Sequence, residues 1–347
     1  MKRYCVSIIV CIAVFLLSSP VSQAAPIDDP FGYFHVYSLG DINYATSDFE
    51  GTTGAGQNVT VSDFTFYNYD ANEYFLHAGG AVSITRGTQT GAVEGAGDMT
   101  LNNIYIKRDD ALKANVYSGG SISGNGGSIF GNAYAKNGYT LPLSTIKAPG
   151  TGAYTGQAYS PAADLGAISS FFSNFSTTVA GWGDTSSGSI TNQNSGAWTI
   201  AAVTGVNVFS ITAAELLNAY DFNVTGASDA TVYINVTGGG AQSLDSTIWT
   251  YQGVSASNVL LNYTDAVSLS MTSSNAVNIL APGTDVEFYG GVNTGNLIVG
   301  NLSGSGQVNL GHFNGPELPS NNVPEPGTIL LLSTGLVVGV RSGVRKK

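Results

Sequence analysis

Few residues in this chain could do chemistry. His35, His77 and His312 are the only histidines; they lie far apart in the chain, with no His-x-x-x-His or Glu-flanked pairing, so no zinc site is expected from them. Paired carboxylates are the better candidates: Glu94 with Asp98, Asp109 with Asp110, and Asp285 with Glu287. Glycoside hydrolysis needs two carboxylates at a controlled separation, and Asp285 and Glu287, two apart on a strand, would face one side. A polysaccharide lyase would also need a basic residue near the scissile bond. Between the chain ends only Arg86, Lys107, Arg108, Lys113, Lys136 and Lys147 are available. Solvated charges on turns and strand faces are the commoner explanation for all three pairs, so no catalytic residue is assigned. No nucleophile elbow, Walker loop or dinucleotide fingerprint holds up in context. Cys5 and Cys11 both fall in the N-terminal apolar run, so a chain lacking that run has neither disulfide nor thiolate chemistry.

Composition narrows the class further. Of 347 residues 43% are hydrophobic, enough to fill a core, but only 10% are charged, and 45 are Gly. Such a mixture suits a β-rich fold with many turns. The net charge is -11, and no Lys or Arg occurs from Ala148 to Val340. Phosphate neutralisation is therefore not available, and nucleic-acid binding is not expected. Asp and Asn in turns could supply oxygen ligands to calcium, but no Gly-Gly-x-Gly-x-Asp repeat is present; calcium gets no site and no cofactor is expected.

The elements that would position these residues are mostly short strands. Gln57 to Tyr67 alternates on Val59, Val61, Phe64 and Phe66, broken at Ser62-Asp63. Ala78 to Thr85, Asp98 to Ile106 and Ala114 to Ala135 repeat the style with Gly-rich turns. Near the C-terminus the leading strands at Val259, Val277 and Leu297 recur at spacings of 18 and 20 residues. Two short strands per turn with Gly- or Asn-rich corners predict a mainly β fold, a parallel β-solenoid or β-helix. An antiparallel β-sandwich is the alternative. Leu165, Ile168, Phe172, Phe175 and Val179 share one face of a helix over residues 162–179, expected to pack on the flank of the sheet. Thr212-x-x-Glu215 before Leu216 and Leu217 is a capping box and predicts a second, shorter helix.

The two ends read as sorting signals. Lys2 and Arg3, an apolar run from Cys5 to Leu17, and Ser22-Gln23-Ala24 form a secretory signal peptide over residues 1–24, with cleavage after Ala24 or Ala25. A linker over 316–323 leads to Val323-Pro324-Glu325-Pro326, then an apolar run from Thr328 to Val340, then Arg341, Arg345, Lys346 and Lys347. As a helix that apolar run is about 20 Å long, short of the roughly 20 residues a full span needs. It fits a transient hold in the inner membrane through residues 326–340, with the basic end on the cytoplasmic side.

The layout of residues 324–347 resembles the PEP-CTERM sorting signal of Gram-negative bacteria. That resemblance implies recognition by an exosortase, processing near Pro324-Glu325-Pro326, and delivery to the cell surface or an exopolysaccharide matrix. Residues 25–315 resemble the choice-of-anchor A family, through Tyr37-Ser38-Leu39-Gly40-Asp41-Ile42, Ser47-Asp48-Phe49-Glu50-Gly51 and Gly54 to Thr60, then Tyr233 to Gly238, Asn258 to Tyr263, Asn278-Ile279-Leu280-Ala281-Pro282 and Gly295 to Leu302. The pattern departs in two places. Val277-Asn278 stand where a Gly usually precedes Ile-Leu-Ala-Pro, and residues 100–210 match poorly, as a divergent or inserted stretch would. The resemblance implies an adhesive or surface-structural protein, not an enzyme, with matrix polysaccharide as the partner. A polysaccharide-active hydrolase or lyase is the first alternative. An ice- or crystal-binding face is the second, and the lack of a regular Thr-x-Thr ladder in the linear sequence counts against it.

Overall fold

The computed structural model describes residues 27–315 except 68–73, 108–113, 143–144, 149, 186–187, 194–195 and 246. The signal peptide with Ala24 and Ala25, the linker, and the sorting motif at Val323, Pro324, Glu325 and Pro326 lie outside the described residues, as do Asp109 and Asp110.

Residues 27–315 form a parallel β-solenoid with three faces, as the short alternating strands predict; the antiparallel sandwich is not the fold. Inter-strand pairings are parallel throughout the main 23-stranded sheet, and one antiparallel pair, Ser189–Gln193 with Ala197–Ala202, occurs on the smaller four-stranded sheet. The first coil shows the plan. Val36–Ser38 lies on a face covered by a helix, Ile42–Ala45 on an exposed polar face, and Asp48–Glu50 on a third face. In the next coils one long strand serves two faces. Val59–Tyr67, Val82–Thr90, Met99–Lys107 and Ser121–Ile129 each turn a corner partway along. The corner is made by a residue in the left-handed region: Thr46, Asp63, Arg86, Asn103 and Gly126, with φ of 58°, 51°, 58°, 51° and 66°. The break at Ser62-Asp63 in the sequence is therefore a real corner inside a continuous strand. Just past it, a Cβ on Gly87 would lie 1.9 Å from the Phe64 carbonyl oxygen, which is why only Gly fits there.

The chain does not wind from one end to the other. From Val36 the N-terminal half adds coils outward as far as Ala153–Tyr154. A 16-residue helix, α1 (Leu165–Ala180), then runs back along the covered face. The C-terminal half begins beyond the starting coil and winds toward it, through Gly205–Thr212, Ala230–Thr237 and Val259–Tyr263. The two halves meet at a seam, where Val36 pairs with Leu297, Ile42 with Leu302 and Phe49 with Val308. The seam makes one core. Ile234, Leu261, Ile279, Leu297, Val36, Thr53, Leu76, Val93 and Val116 form a buried inward column that crosses it, apolar at every rung but Thr53.

Helix α1 spans about 24 Å, roughly five rung spacings of about 4.8 Å. Asp164 caps its N-terminus by accepting from the Ala167 N–H at 3.0 Å. Ile168, Phe172, Phe175 and Val179 are buried as the sequence stripe requires. The helix is also held by polar groups. Tyr37 is fully buried, donates its hydroxyl to the Leu165 carbonyl at 2.8 Å, and has its phenol pushed up to about 12 by burial. At the other end, Asn262 donates to the Ser176 carbonyl and to Asn235 Oδ1 (3.0 and 2.9 Å), and accepts from Ser176 Oγ at 2.6 Å. Asn235 donates to the Val179 carbonyl at 3.0 Å, satisfying a last-turn carbonyl. A second helix, α2 (Ala213–Leu217), carries the expected capping box between Thr212 and Glu215 and packs against the strand Gly240–Leu244.

Replacing Asn262 with Ala removes three buried hydrogen bonds and strands Ser176 and Asn235. The expected cost is about 2–4 kcal/mol, read as a lower urea midpoint with an unchanged slope. A loss below about 0.5 kcal/mol, the range of neutral surface changes, would show that the Asn pair does not hold the helix.

Candidate functional site

The polar face is where residue type, exposure and register coincide. Its core-facing positions are Ile42, Tyr44, Val59, Val61, Val82, Ile84, Met99, Leu101 and Ile122, all buried. The alternate positions point to solvent, and parallel pairing stacks them into two rows. One row is Asn43, Thr60, Ser83, Thr100 and Ser123; the other is Ala45, Ser62, Thr85, Asn102 and Asn125. Each coil thus offers a pair such as Thr60-x-Ser62, Ser83-x-Thr85 or Thr100-x-Asn102. Neighbouring groups stand about 4.8 Å apart across coils and about 6.6 Å apart along a strand. None of these ten residues is charged. Ser123 and Thr100 hydroxyls lie 3.3 Å apart along the row.

Across the seam the first row continues as Ser303, Glu287, Ser270 and Ser243. Along the edge where the covered face turns into the polar face runs a rail of Asx side chains. Asn301 donates to Asp285 Oδ1 at 2.7 Å and accepts from the Asp41 N–H at 2.8 Å. Asn58 donates its backbone and side-chain N–H groups to Asp41 Oδ1 (2.9 and 3.0 Å) and accepts from the Ala81 N–H at 2.8 Å. The rail straightens the edge on both sides of the seam.

The carboxylates singled out from the sequence lie in different settings. Asp285 and Glu287 do share one side of a strand, on the open polar face, between Ser268 and Ser270 on one neighbour and Asn301 and Ser303 on the other. Asp98 is exposed on the edge rail, accepting from the Ser121 N–H at 2.7 Å. Glu94 does not face it. Glu94 is 1% exposed on the covered face and accepts from the Ala162 N–H and from His77, whose Nδ1 lies 2.7 Å away. His77 Nε2 in turn meets the Tyr33 hydroxyl at 3.0 Å. This chain of bonds pins residues 155–164, a strap leading into α1, onto the solenoid. Sequence reading missed the pairing because His77 and Glu94 are 17 residues apart. That offset is one short coil, the same step that separates Asp41 from Asn58. His35 and His312 also meet, ring edge to face at 6.1 Å across the seam. Among the described residues no three His, Cys, Asp or Glu side chains form a metal-holding group, and no helix is long and apolar enough to cross a membrane.

Residues 27–310 match the family described as "Putative Ice-binding-like adhesive domain". The chain belongs to this family. The match runs from the first described residue almost to the last, through both halves and the return helix, and it places the chain among adhesive domains of the cell surface or extracellular space. No curated protein and no solved structure matched.

If Glu94 is structural, Glu94→Ala leaves buried His77 and the Ala162 N–H without their partner and destabilises by about 2–4 kcal/mol. Denaturant unfolding measures this. A Glu94→Ala protein of unchanged stability would return Glu94 to the list of functional carboxylates.

Proposed function

We propose that this chain is an exported, non-enzymatic adhesive whose polar face holds neutral polysaccharide in an extracellular matrix. The observation that carries the reading is the double row of side chains, Ser, Thr or Asn at every position but Ala45, uncharged over five coils and held in register by the solenoid. Hydroxyls and amides at a fixed two-dimensional spacing suit an extended, hydroxylated polymer. The backbone already holds them in register and their side chains are short, so binding costs little ordering entropy. The sorting readings belong to the same proposal: the signal peptide is removed at Ala24 or Ala25, residues 326–340 hold the inner membrane transiently, and an exosortase processes the tail near Val323-Pro324-Glu325-Pro326. The resemblance to the choice-of-anchor A family supports it too. Two of the pieces that carry it, Tyr37 to Ile42 and Gly295 to Leu302, lie on the coils that make the seam, and a third, Asn278 to Pro282, lies on the coil beside it.

A second reading is ice or crystal binding, favoured by the regular lattice of the two rows and by the wording of the family description. The rows mix Ser and Asn with Thr, and so lack the continuous line of methyl groups that an all-Thr face would offer.

Thr60→Tyr with Thr100→Tyr puts two bulky rings on outward positions, one exposed and one half-buried, without touching the core. Capture of the double variant on native matrix polysaccharide is expected to fall at least tenfold, with no dependence on calcium in wild type or variant. Unchanged capture would remove the polar face from the mechanism, and release of sugar fragments would make the protein an enzyme. Thermal hysteresis in wild type that the same substitutions abolish would replace the polysaccharide reading with the ice reading. For the tail, protein recovered from surface fractions is expected to lack peptides beyond about Pro326 in mass spectra; intact C-terminal peptides there would contradict exosortase processing.

A further inference from the structure

A second feature of the surface is not explained by adhesion through the polar face. Beyond the end of α1, the outward positions of the covered face carry Tyr117, Tyr134 and Tyr154, one per coil and in register. Their rings stack with centroids 5.1 and 5.3 Å apart and planes within 11° and 16° of parallel. The strap folds back beside them. Between strap and ladder is a cavity of about 210 Å³ lined by Tyr74, Tyr117, Tyr134, Gln157 and Tyr159. On the far side of Tyr159 a second cavity, of about 310 Å³, is lined by Gly79, Ala96, Pro161 and Asp164 among others. Tyr159 is thus the partition between two adjoining cavities. It sits so close to the coil edge that a Cβ on Gly119 would lie 3.1 Å from its ring.

We propose that the cavity between strap and ladder is a carbohydrate-binding site for a neutral, extended β-linked glycan that runs along the tyrosine ladder. The first cavity is lined by aromatic rings, an amide and hydroxyls, with no Lys, Arg, Asp or Glu among its lining residues. Aromatic surface takes the C–H face of a pyranose, while the amide and hydroxyls take its OH groups. A charged ligand finds no counter-charge in it. Tyr134 is set up as a donor: its oxygen accepts from Asn132 Nδ2 at 3.0 Å, so its own proton remains to give. The stacking step of the ladder is close to the advance per sugar of an extended β-linked chain, whereas an α-linked chain coils away from a straight groove. The strap's position does not depend on ligand, because Glu94 fixes it through Ala162.

The test is calorimetric titration of the full chain with cellohexaose, chitohexaose and maltohexaose. Binding of cellohexaose or chitohexaose is expected, with the stronger of the two naming the source of the glycan. Gln157→Ala, on the exposed strap, and Tyr134→Ala are each expected to weaken it at least tenfold, with Gln157→Ala leaving the melting temperature unchanged. In Thr60→Tyr any binding by the polar face is lost, while the part of the binding that Gln157→Ala removes is expected to stay, which separates this site from the adhesive face. No binding of either β-linked hexasaccharide at millimolar concentration, equal binding of maltohexaose, or full binding by Gln157→Ala and Tyr134→Ala would each overturn the proposal. Loss in Thr60→Tyr of the same part of the binding that Gln157→Ala removes would do so as well.

Discussion

The structure depends on stacking at one fixed spacing. A single coil cannot satisfy its own backbone groups or bury its inward side chains; both come only from the coils above and below. Every coil is therefore conditional on its neighbours, and the first coil most of all. It has the second coil on one side and the last complete coil, more than 250 residues later, on the other, with Val36 between Thr53 and Leu297. Asn296 joins the ends at this point. It donates to the Phe31 and Phe34 carbonyls (3.0 and 2.7 Å) and accepts from the Phe313 N–H at 2.6 Å. Such long-range closure makes folding slow relative to helical folds of like size. It also hides in the middle of the solenoid two strand edges that would otherwise be open to other chains.

Given this spacing, the chemistry of each outward position follows from what covers it. One outward column of the covered face reads Asn235, Asn262, Leu280, Ile298, Tyr37, Gly54, His77, Glu94, Tyr117, Tyr134 and Tyr154. Where helix ends arrive, the column supplies amides and a hydroxyl that bond to helix carbonyls. Under the middle of the helix it is apolar. Under the strap it is a His–Glu pair, and beyond the strap it becomes the tyrosine ladder. On the uncovered polar face the same periodicity yields small polar groups that need no partner from the protein.

Much of this was readable in the sequence, and what was not has a physical reason. The alternation Val59, Val61, Phe64, Phe66 gave away both the strand and its corner at Asp63. The Phe172 and Phe175 stripe located the return helix, and the Thr212–Glu215 capping box located the short one, because these signals are local. The order of the coils is not local. Nothing near Leu297 records that it pairs with Val36, so the seam was invisible. The polar face was hidden differently. Thr60, Ser83, Thr100 and Ser123 form one row only when coils of 17 and 23 residues alternate, as the pairings of Val36 with Thr53 and of Thr53 with Leu76 require. A search for a strict Thr-x-Thr repeat passes over rows that mix Ser, Thr and Asn. The His77–Glu94 contact shares that cause: one coil apart in sequence, one rung apart in space.

The first and last of the described residues share one corner of the coil. After Gln307–Asn309 on the third face, the chain turns toward the covered face, and Leu310 N–H donates to Glu50 Oε2 at 3.0 Å. Phe313 then packs against Phe31 at 5.3 Å and Tyr233 at 5.5 Å, and the Asn314 N–H bonds to the Ser257 carbonyl at 2.7 Å. Phe31, next to the start of the described chain, is in the same cluster. The first and last of the described residues thus lie at the corner between third and covered faces, the corner opposite the polar face in a three-faced coil. At that corner Asn296 ties Phe31, Phe34 and Phe313 to the two coils that meet at the seam, so both ends of residues 27–315 are fastened at the middle of the solenoid and not at a terminal coil. The polar face lies across the coil from that corner, so the residues that tie the two halves together are kept apart from the exposed Ser, Thr and Asn rows.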